Sequence, residues 1–287
     1  MVFFVFFVPF VVQSFVVPRS IVVRIVVLVA ASWCISCAPP LIKLPSGNGT
    51  PAADGADVIR TATLACRAVS TLTAEIAVSG SIGGQRLRAR MLAGVAAPAS
   101  ARLEAVAPFG PPLFIFVARD NDATLLLGDD RVLEHGRPDA LLEAVAGVPL
   151  DAAELRVTMT GCAAVPEAAR ARQLGDQWRI VPDGSSDLYL HRESATAPWR
   201  IVAAQHRAPA AWRAEYREFQ IGSPSDGLPR AIRLTSADSK RFDVRLDLSQ
   251  TEINTALGAD VFRIERPSTV RPITLQELKE SGPLGRR

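Results

Sequence analysis

Four cysteines and three histidines are the residues of this 287-residue chain best suited to redox, metal or nucleophilic chemistry. Cys34 and Cys37 stand in Cys-x-x-Cys spacing, which in a folded, partly polar setting tunes a thiol for exchange or puts two thiolates on one metal. Here the pair ends an apolar run, "SIVVRIVVLVAAS" (residues 20–32), and Pro39 and Pro40 follow it, a setting that suits neither use. Cys66 and Cys162 have no His or carboxylate cluster beside them, so they either form a disulfide or stay as two buried thiols. Spacing alone does not decide between these. His135, His191 and His206 stand alone at the ends of strand-like runs. There is no G-x-S-x-G, H-E-x-x-H or Walker pattern. "GSIGG" (80–84) lies between two strand-like runs and reads as a hairpin turn, and "GDD" (128–130) reads as another tight turn. The expectation is no catalytic residue, no metal and no cofactor; a hydrolase would need a Ser or Cys beside a His, which the linear sequence does not display.

The elements that hold these residues begin with the N-terminal 37 residues. Residues 2–17, "VFFVFFVPFVVQSFVV", are interrupted by Pro9 and Gln13 and fall short of the ~20 apolar residues of a membrane span. Residues 18–37 carry Arg19 and Arg24, then "IVVLVAA", then the small Ser36 before Cys37, the order of a secretory leader. On that reading translation starts near Val16 or Val17 and residues 1–17 are an extension; the competing reading is an N-terminal membrane hairpin. "CISCAPP" (34–40) resembles a bacterial lipobox, with Cys37 as the residue diacylated through its sulfur and then acylated on its new amino terminus. Cys34 stands where Leu is usual. Several chains on one residue are what stable anchoring takes, since one chain binds reversibly. Ala38, not Asp, follows, which by the same resemblance points to the outer membrane rather than retention at the inner one.

Formal charge is +3, and the leader accounts for Arg19 and Arg24 without an acid, which leaves +1 for the rest. That balance argues against a nucleic-acid footprint. Export would place Cys66 and Cys162 where a disulfide can form. Residues 38–56, rich in Pro, Gly and small polar residues, read as a tether. From Asp57, Ile59, Ala62, Cys66 and Val69 recur at helical steps. Short alternating runs follow, from "AEIAVSGSI" and "RLRARMLAG" around Gly83-Gly84 to "RVLEH" ending at 135. In the second run Leu87, Ala89 and Met91 face one way and Arg86, Arg88 and Arg90 the other. Two short helices interrupt the strands: one from Pro138 to a stop at Gly147, one with Asp151 and Glu154 in capping-box spacing and Gly161 as its stop. Strands resume to residue 250, with Phe242, Val244, Leu246 and Leu248 on one face of the last. A bulge near Glu218 would move the apolar face from Trp212, Ala214 and Tyr216 to Phe219 and Ile221. "ADVFRIERP" closes the body, taken as residues 57–267, and 268–287 is a weakly patterned tail. About eleven one-sided antiparallel strands with inserted helices favour a mainly β, strongly curved sheet with helices in its concave side; a β-sandwich is the alternative.

"RLEAVAPFGPPLFIFVA" (102–118) puts Phe109 at a stiff tip between Pro108, Gly110, Pro111 and Pro112, where a turn is ordinarily polar. Either Phe109 folds back onto the core or it protrudes as an apolar finger. "RLEAVAPFG", "LLEAVAGVPLDAAELRVTMTG", "GLPRAIRLTS" and "FDVRLDLSQTEIN" together resemble, in order, the LolA/LolB superfamily, closest to its outer-membrane lipoprotein receptors, over about residues 57–265. The resemblance implies an unclosed β-barrel with a helical lid, a hydrophobic cavity for acyl chains, and no enzymatic activity. It implies lipoproteins handed over by a periplasmic carrier, anchoring at the outer membrane facing the periplasm, and a monomer. By position Phe109, with Pro108 and Gly110, would form the loop that helps lipoproteins enter the membrane. Leu87, Met91, Leu103, Leu113, Ile115, Phe242, Val244 and Leu246 are the expected cavity lining. The alternatives are a carrier of another envelope lipid or glycolipid, and a structural envelope lipoprotein that binds no ligand.

Overall fold

The computed structural model describes residues 39–128, 130–163, 170–207, 211–222, 225–238, 240–265 and 269–281. The chain divides into residues 1–42 and 43–287. Of the first unit, residues 39–42 are described and carry no helix or strand. The leader and the lipobox, with Cys34 and Cys37, lie outside the described residues, and among those residues no helix is long and apolar enough to cross a membrane.

In the second unit the strands form one sheet built from two meanders. The first runs through β2 (Thr71–Ile82), β3 (Gln85–Ala96), β4 (Ser100–Val106), β5 (Phe114–Arg119), β6 (Asp122–Leu127) and β7 (Arg131–Gly136). The second runs through β8 (Arg172–Leu174), β9 (Trp178–Asp183), β10 (Ser186–His191), β11 (Arg200–His206), β12 (Trp212–Phe219), β13 (Pro229–Ser236) and β14 (Phe242–Ile253). Pairing of β14 with β2 joins them, from Phe242↔Ile82 to Ile253↔Leu72. Gly80 permits this seam: its backbone comes so close to β14 that a Cβ would sit 2.1 Å from the Asp243 carbonyl oxygen, at φ +135°. Two-residue strands, β1 (Thr50–Pro51) and β15 (Arg271–Pro272), stand at the two ends, so the sheet of fifteen described strands is unclosed. β15 pairs parallel to β7, and every other pairing is antiparallel.

β7 and β8 lie near opposite ends of this order, so the chain between them has to cross the sheet. It crosses as α2 (Pro138–Ala146) and α3 (Ala152–Thr160), and α3 touches β3, β4 and β13, strands of both meanders. Both helices begin and end where the residue types require. Pro138 opens α2, and Gly147 ends it at φ 72°. The Asp151 carboxylate accepts the Glu154 backbone N–H at 2.8 Å, and the Glu154 carboxylate accepts that of Asp151 at 3.0 Å. Burial pushes the Glu154 carboxyl above its usual range. A further helix, α1 (Gly55–Arg67), lies against β9 and β11, with Val58, Ile59, Thr63 and Cys66 buried. Its N-terminus is held by Arg179, whose guanidinium donates to both Asp54 carboxylate oxygens at 2.8 and 2.7 Å and holds that carboxyl below the usual range. Arg179 and Arg192 in turn lie over the Trp199 ring, at 4.8 and 4.7 Å from its centre.

Cys66 and Cys162 are bonded, with Cα atoms 5.4 Å apart, so α1 is tied to the residue just past α3. The sequence left this pairing open.

The outer face is charged but not simply wet. Glu215 is fully buried there, ion-paired to Arg213 and to Arg217 at 3.0 Å. Arg233 forks onto Asp243 at 2.8 and 2.7 Å, and Arg245 bridges Asp247 and Glu218. This lattice accounts for the alternation of Arg with acids along β12 and β14, and for Arg233 on β13 between them.

Several sequence expectations need correction. The sheet is one layer, not a sandwich, and has fifteen described strands where about eleven were expected, in large part because β1, β8 and β15 are too short to show a period. Glu218 does take a left-handed φ of 53°, but the pairing runs through it without an inserted residue, from Arg217↔Ala231 to Phe219↔Pro229. Phe219 packs on the core beneath Arg200, while Ile221 stays exposed. "ADVFRIERP" adds no strand over its described residues. Arg102 holds it across β4 by donating to the carbonyls of Val261 and Arg263 at 3.2 and 3.1 Å, and Phe262 is buried there. Beyond it, β15 and α4 (Leu275–Ser281) belong to the same body, with Ile273 and Leu278 in its core.

Candidate functional site

Between the sheet and its helices lies a cavity of about 1060 Å³. Its walls come from residues that alternation points inward: Ile76 and Val78 on β2, Leu87, Ala89 and Met91 on β3, Leu103 and Ala105 on β4, Leu234 on β13, Val244 and Leu246 on β14. The helices close the other side with Leu142 and Val145 of α2, Leu155 and Met159 of α3, and Leu278 of α4. Leu87, Ala89, Met91 and Leu246 remain half-buried although they face inward, because the space in front of them is not filled by protein. The charged and hydroxyl-bearing wall residues are Arg88, Asp130, Arg131 and Thr158.

Of the residues expected to line a cavity, Leu87, Met91, Leu103, Leu113, Val244 and Leu246 do so. Ile115 does not: on β5 it shares the face opposite Phe114 and Phe116 and points out of the sheet. Phe242 does not either, since it is 1 % exposed and consumed by core packing at the start of β14. The lining supplied by α2, α3 and α4 was missed. For α4 a signal existed: Thr274 and Glu277 stand in capping-box spacing, and the Glu277 carboxylate accepts the Thr274 N–H at 2.7 Å.

The mouth is built by a difference in strand length. β3 runs to Gln85, but its pairing with β4 ends at Arg90↔Val106, so residues 85–89 are laddered only to β2. β4 instead breaks away into the turn at 107–112, closed by the Leu113 N–H donating to the Ala105 carbonyl at 2.8 Å. Gly110, at φ 84°, turns that loop. Phe109 at its tip is 95 % exposed, with Pro108 and Gly110 also exposed, and Leu113 and Val106 beside it are partly so. Pro108 and Phe109 border the cavity. Phe109 therefore does not fold back onto the core.

A second constellation appears only in three dimensions. The Ser186 hydroxyl lies 2.8 Å from His206 Nδ1, so a Ser does stand beside a His, contrary to the sequence expectation. The ring stacks on Trp212 at 3.8 Å between ring centres, and burial pushes its pKa down to about 4. The neighbouring carboxylate, Asp187, is engaged by Arg207 at 3.0 Å. A base that weak, with no carboxylate orienting its other nitrogen among the described residues, is poorly suited to activating a hydroxyl at neutral pH. The depressed pKa has a consequence for stability. Between the folded value of about 4 and the ordinary 6.5, the unfolded chain binds the extra proton, so stability rises with pH and is lost as pH falls through that window. The ring is part-exposed, so the loss is about 1–2 kcal/mol rather than the full shift. Urea midpoints measured from pH 7 to 4 should fall more steeply for the unaltered chain than for His206→Phe; parallel curves would contradict the assignment.

Among the described residues no group of three or more His, Cys, Asp and Glu is placed to hold a metal. No protein-family model and no curated protein matches the chain. Solved structures do. A LolA superfamily protein from Nitrosomonas europaea superposes with a TM-score of 0.52 at 13 % identity, over 72 % of this chain and 96 % of that one. A Vibrio parahaemolyticus domain named for outer-membrane lipoprotein sorting gives 0.48 at 11 %, over 72 % and 95 %. A DUF1329 family protein from Desulfovibrio piger gives 0.47 at 11 %, over 75 % and 98 %. The first of these likenesses bears on the fold alone: this chain has a LolA-like fold, a large unclosed curved sheet with few helices.

Proposed function

We propose that this chain is an envelope lipoprotein, lipidated at Cys37 and held at the outer membrane, whose cavity binds acyl chains and receives lipoproteins from a periplasmic carrier. It performs no covalent chemistry and works as a monomer. The observation that supports this reading is an open apolar cavity of about 1060 Å³ whose mouth carries an exposed apolar tip. The LolA-like fold and the lipobox-like "CISC" are consistent with it.

If a methylene takes about the volume of a water molecule, ~30 Å³, the cavity has room for roughly 35 of them, on the order of two long acyl chains. At ~0.8 kcal/mol for each methylene kept from water, the cavity is a strong trap against water but only an even competitor to a bilayer. Chains would therefore pass either way for small differences in burial, which suits a transfer protein. α2 and α3 serve as the lid, since they form the wall opposite the strands.

The test is native mass spectrometry of the full chain extracted from its membrane. Co-purifying acyl species are expected, and they should be lost in Ala89→Trp, which puts an indole into the space that Ala89 faces. A chain that emerges empty under the mildest extraction, with Ala89→Trp indistinguishable from it, would leave a ligand-free envelope scaffold as the better reading.

A further inference from the structure

We infer that the cavity also takes an anionic lipid, its chains inside and its phosphate-bearing headgroup held at the mouth by Arg88 and Arg131. This rests on the acyl-binding reading above. Arg88 and Arg131 are the basic residues of the cavity wall, and Asp130, which lies 3.5 Å from Arg131, is the acid. Arg88 stands on the stretch of β3 that β4 leaves uncovered, beside the turn at 107–112. It has no hydrogen-bond or ion-pair partner among the described residues, and Arg86 and Arg90 repeat its charge two residues to either side, about 7 Å away along the strand.

Among the described residues no ion pair joins Arg86, Arg88 or Arg90. The residues paired across from Arg86, Arg88 and Arg90 on β2 are Ser81, Ser79 and Ala77, and across from Arg90 on β4 is Val106. Of the carboxylates on the neighbouring strands, Asp243 is taken by Arg233, Asp247 by Arg245 and Glu104 by Arg102; Glu75 stands opposite Leu92, diagonal to Arg90, and Glu252 opposite Thr73, both toward the other end of the strands from Arg86 and Arg88. Arg213, Arg217, Arg233 and Arg245 on this outer face are each matched by an acid, so Arg86 and Arg88 without one are not explained by sheet stability. Guanidinium groups are suited to the paired oxygens of a phosphate, and at an apolar mouth the anion they can reach is one whose tails occupy the hollow behind them.

The experiment offers the full chain, in detergent, an equimolar mixture of phosphatidylglycerol and phosphatidylcholine with matched chains, and reads the retained lipid by native mass spectrometry. Phosphatidylglycerol should be retained about tenfold over phosphatidylcholine, with the pair Arg88→Gln and Arg131→Gln bringing the two near parity at unchanged total occupancy. Equal retention by the unaltered chain would overturn the inference, as would a preference that survives in the double variant. Displacement of the preference by inorganic phosphate would also overturn it, since the site would then be one for a free anion. Anionic vesicles that capture the chain equally when Ala89→Trp fills the cavity would reassign the arginines to surface docking. Retention of neither lipid would instead remove the acyl-binding reading itself.

Discussion

Phe109→Glu should reduce delivery of a bound lipoprotein or lipid to vesicles about a hundredfold while leaving the thermal midpoint unchanged. The ring is 95 % exposed and touches too little of the protein to support the fold, so replacement should cost less than about 0.5 kcal/mol of stability. In a bilayer the same ring is worth roughly 1.5–3 kcal/mol, and a carboxylate in its place adds a further penalty for entering the interface. Together these come to about 3 kcal/mol, or two orders of magnitude in rate or partitioning. Fluorescence-detected transfer to vesicles, with a melt run on the same samples, checks both halves. A variant that unfolds would return Phe109 to the core; one that transfers normally would leave the tip without its proposed task.

Removing the disulfide should give the largest change in stability. Cys66 and Cys162 are 96 residues apart in sequence, and cross-linking a loop of that length lowers the entropy of the unfolded chain by an amount worth about 4–5 kcal/mol. The bond also ties α1 to the end of α3, which forms part of the cavity wall. For the double replacement Cys66→Ala and Cys162→Ala, a loss of about 4 kcal/mol corresponds to a fall of roughly 10 °C in midpoint for a body of this size. Reduction of the unaltered chain should reproduce it. A loss under about 1 kcal/mol in both would mean that the unfolded chain is not appreciably constrained by the link.

How far each feature was legible depended on the length of the physics behind it. Period-two alternation in "RLRARM" and "FDVRLDL" is a local property, so it marked the strands and the inward faces of Leu87, Met91, Val244 and Leu246 directly. The stops at Gly147 and Gly161 and the capping box of Asp151 with Glu154 were equally local. Ile115 was misread because both faces of β5 are apolar, and alternation carries no sign when both sides are. Phe242 was misread because an inward-facing residue at a strand end can meet core instead of cavity.

Local sequence sets the elements: helix stops, hairpins, the apolar tip, and the greasy side of those strands that alternate, such as β3 and β14. These depend on backbone preferences and side-chain alternation within a few residues. Only the folded chain settles that Cys66 meets Cys162, that Ser186 lies beside His206, that Leu278 reaches the cavity, and that Arg86 and Arg88 find no acid among the described residues. Each of these is a meeting of distant segments, or the failure of one, set by how a curved sheet brings strands together, and no local period encodes it.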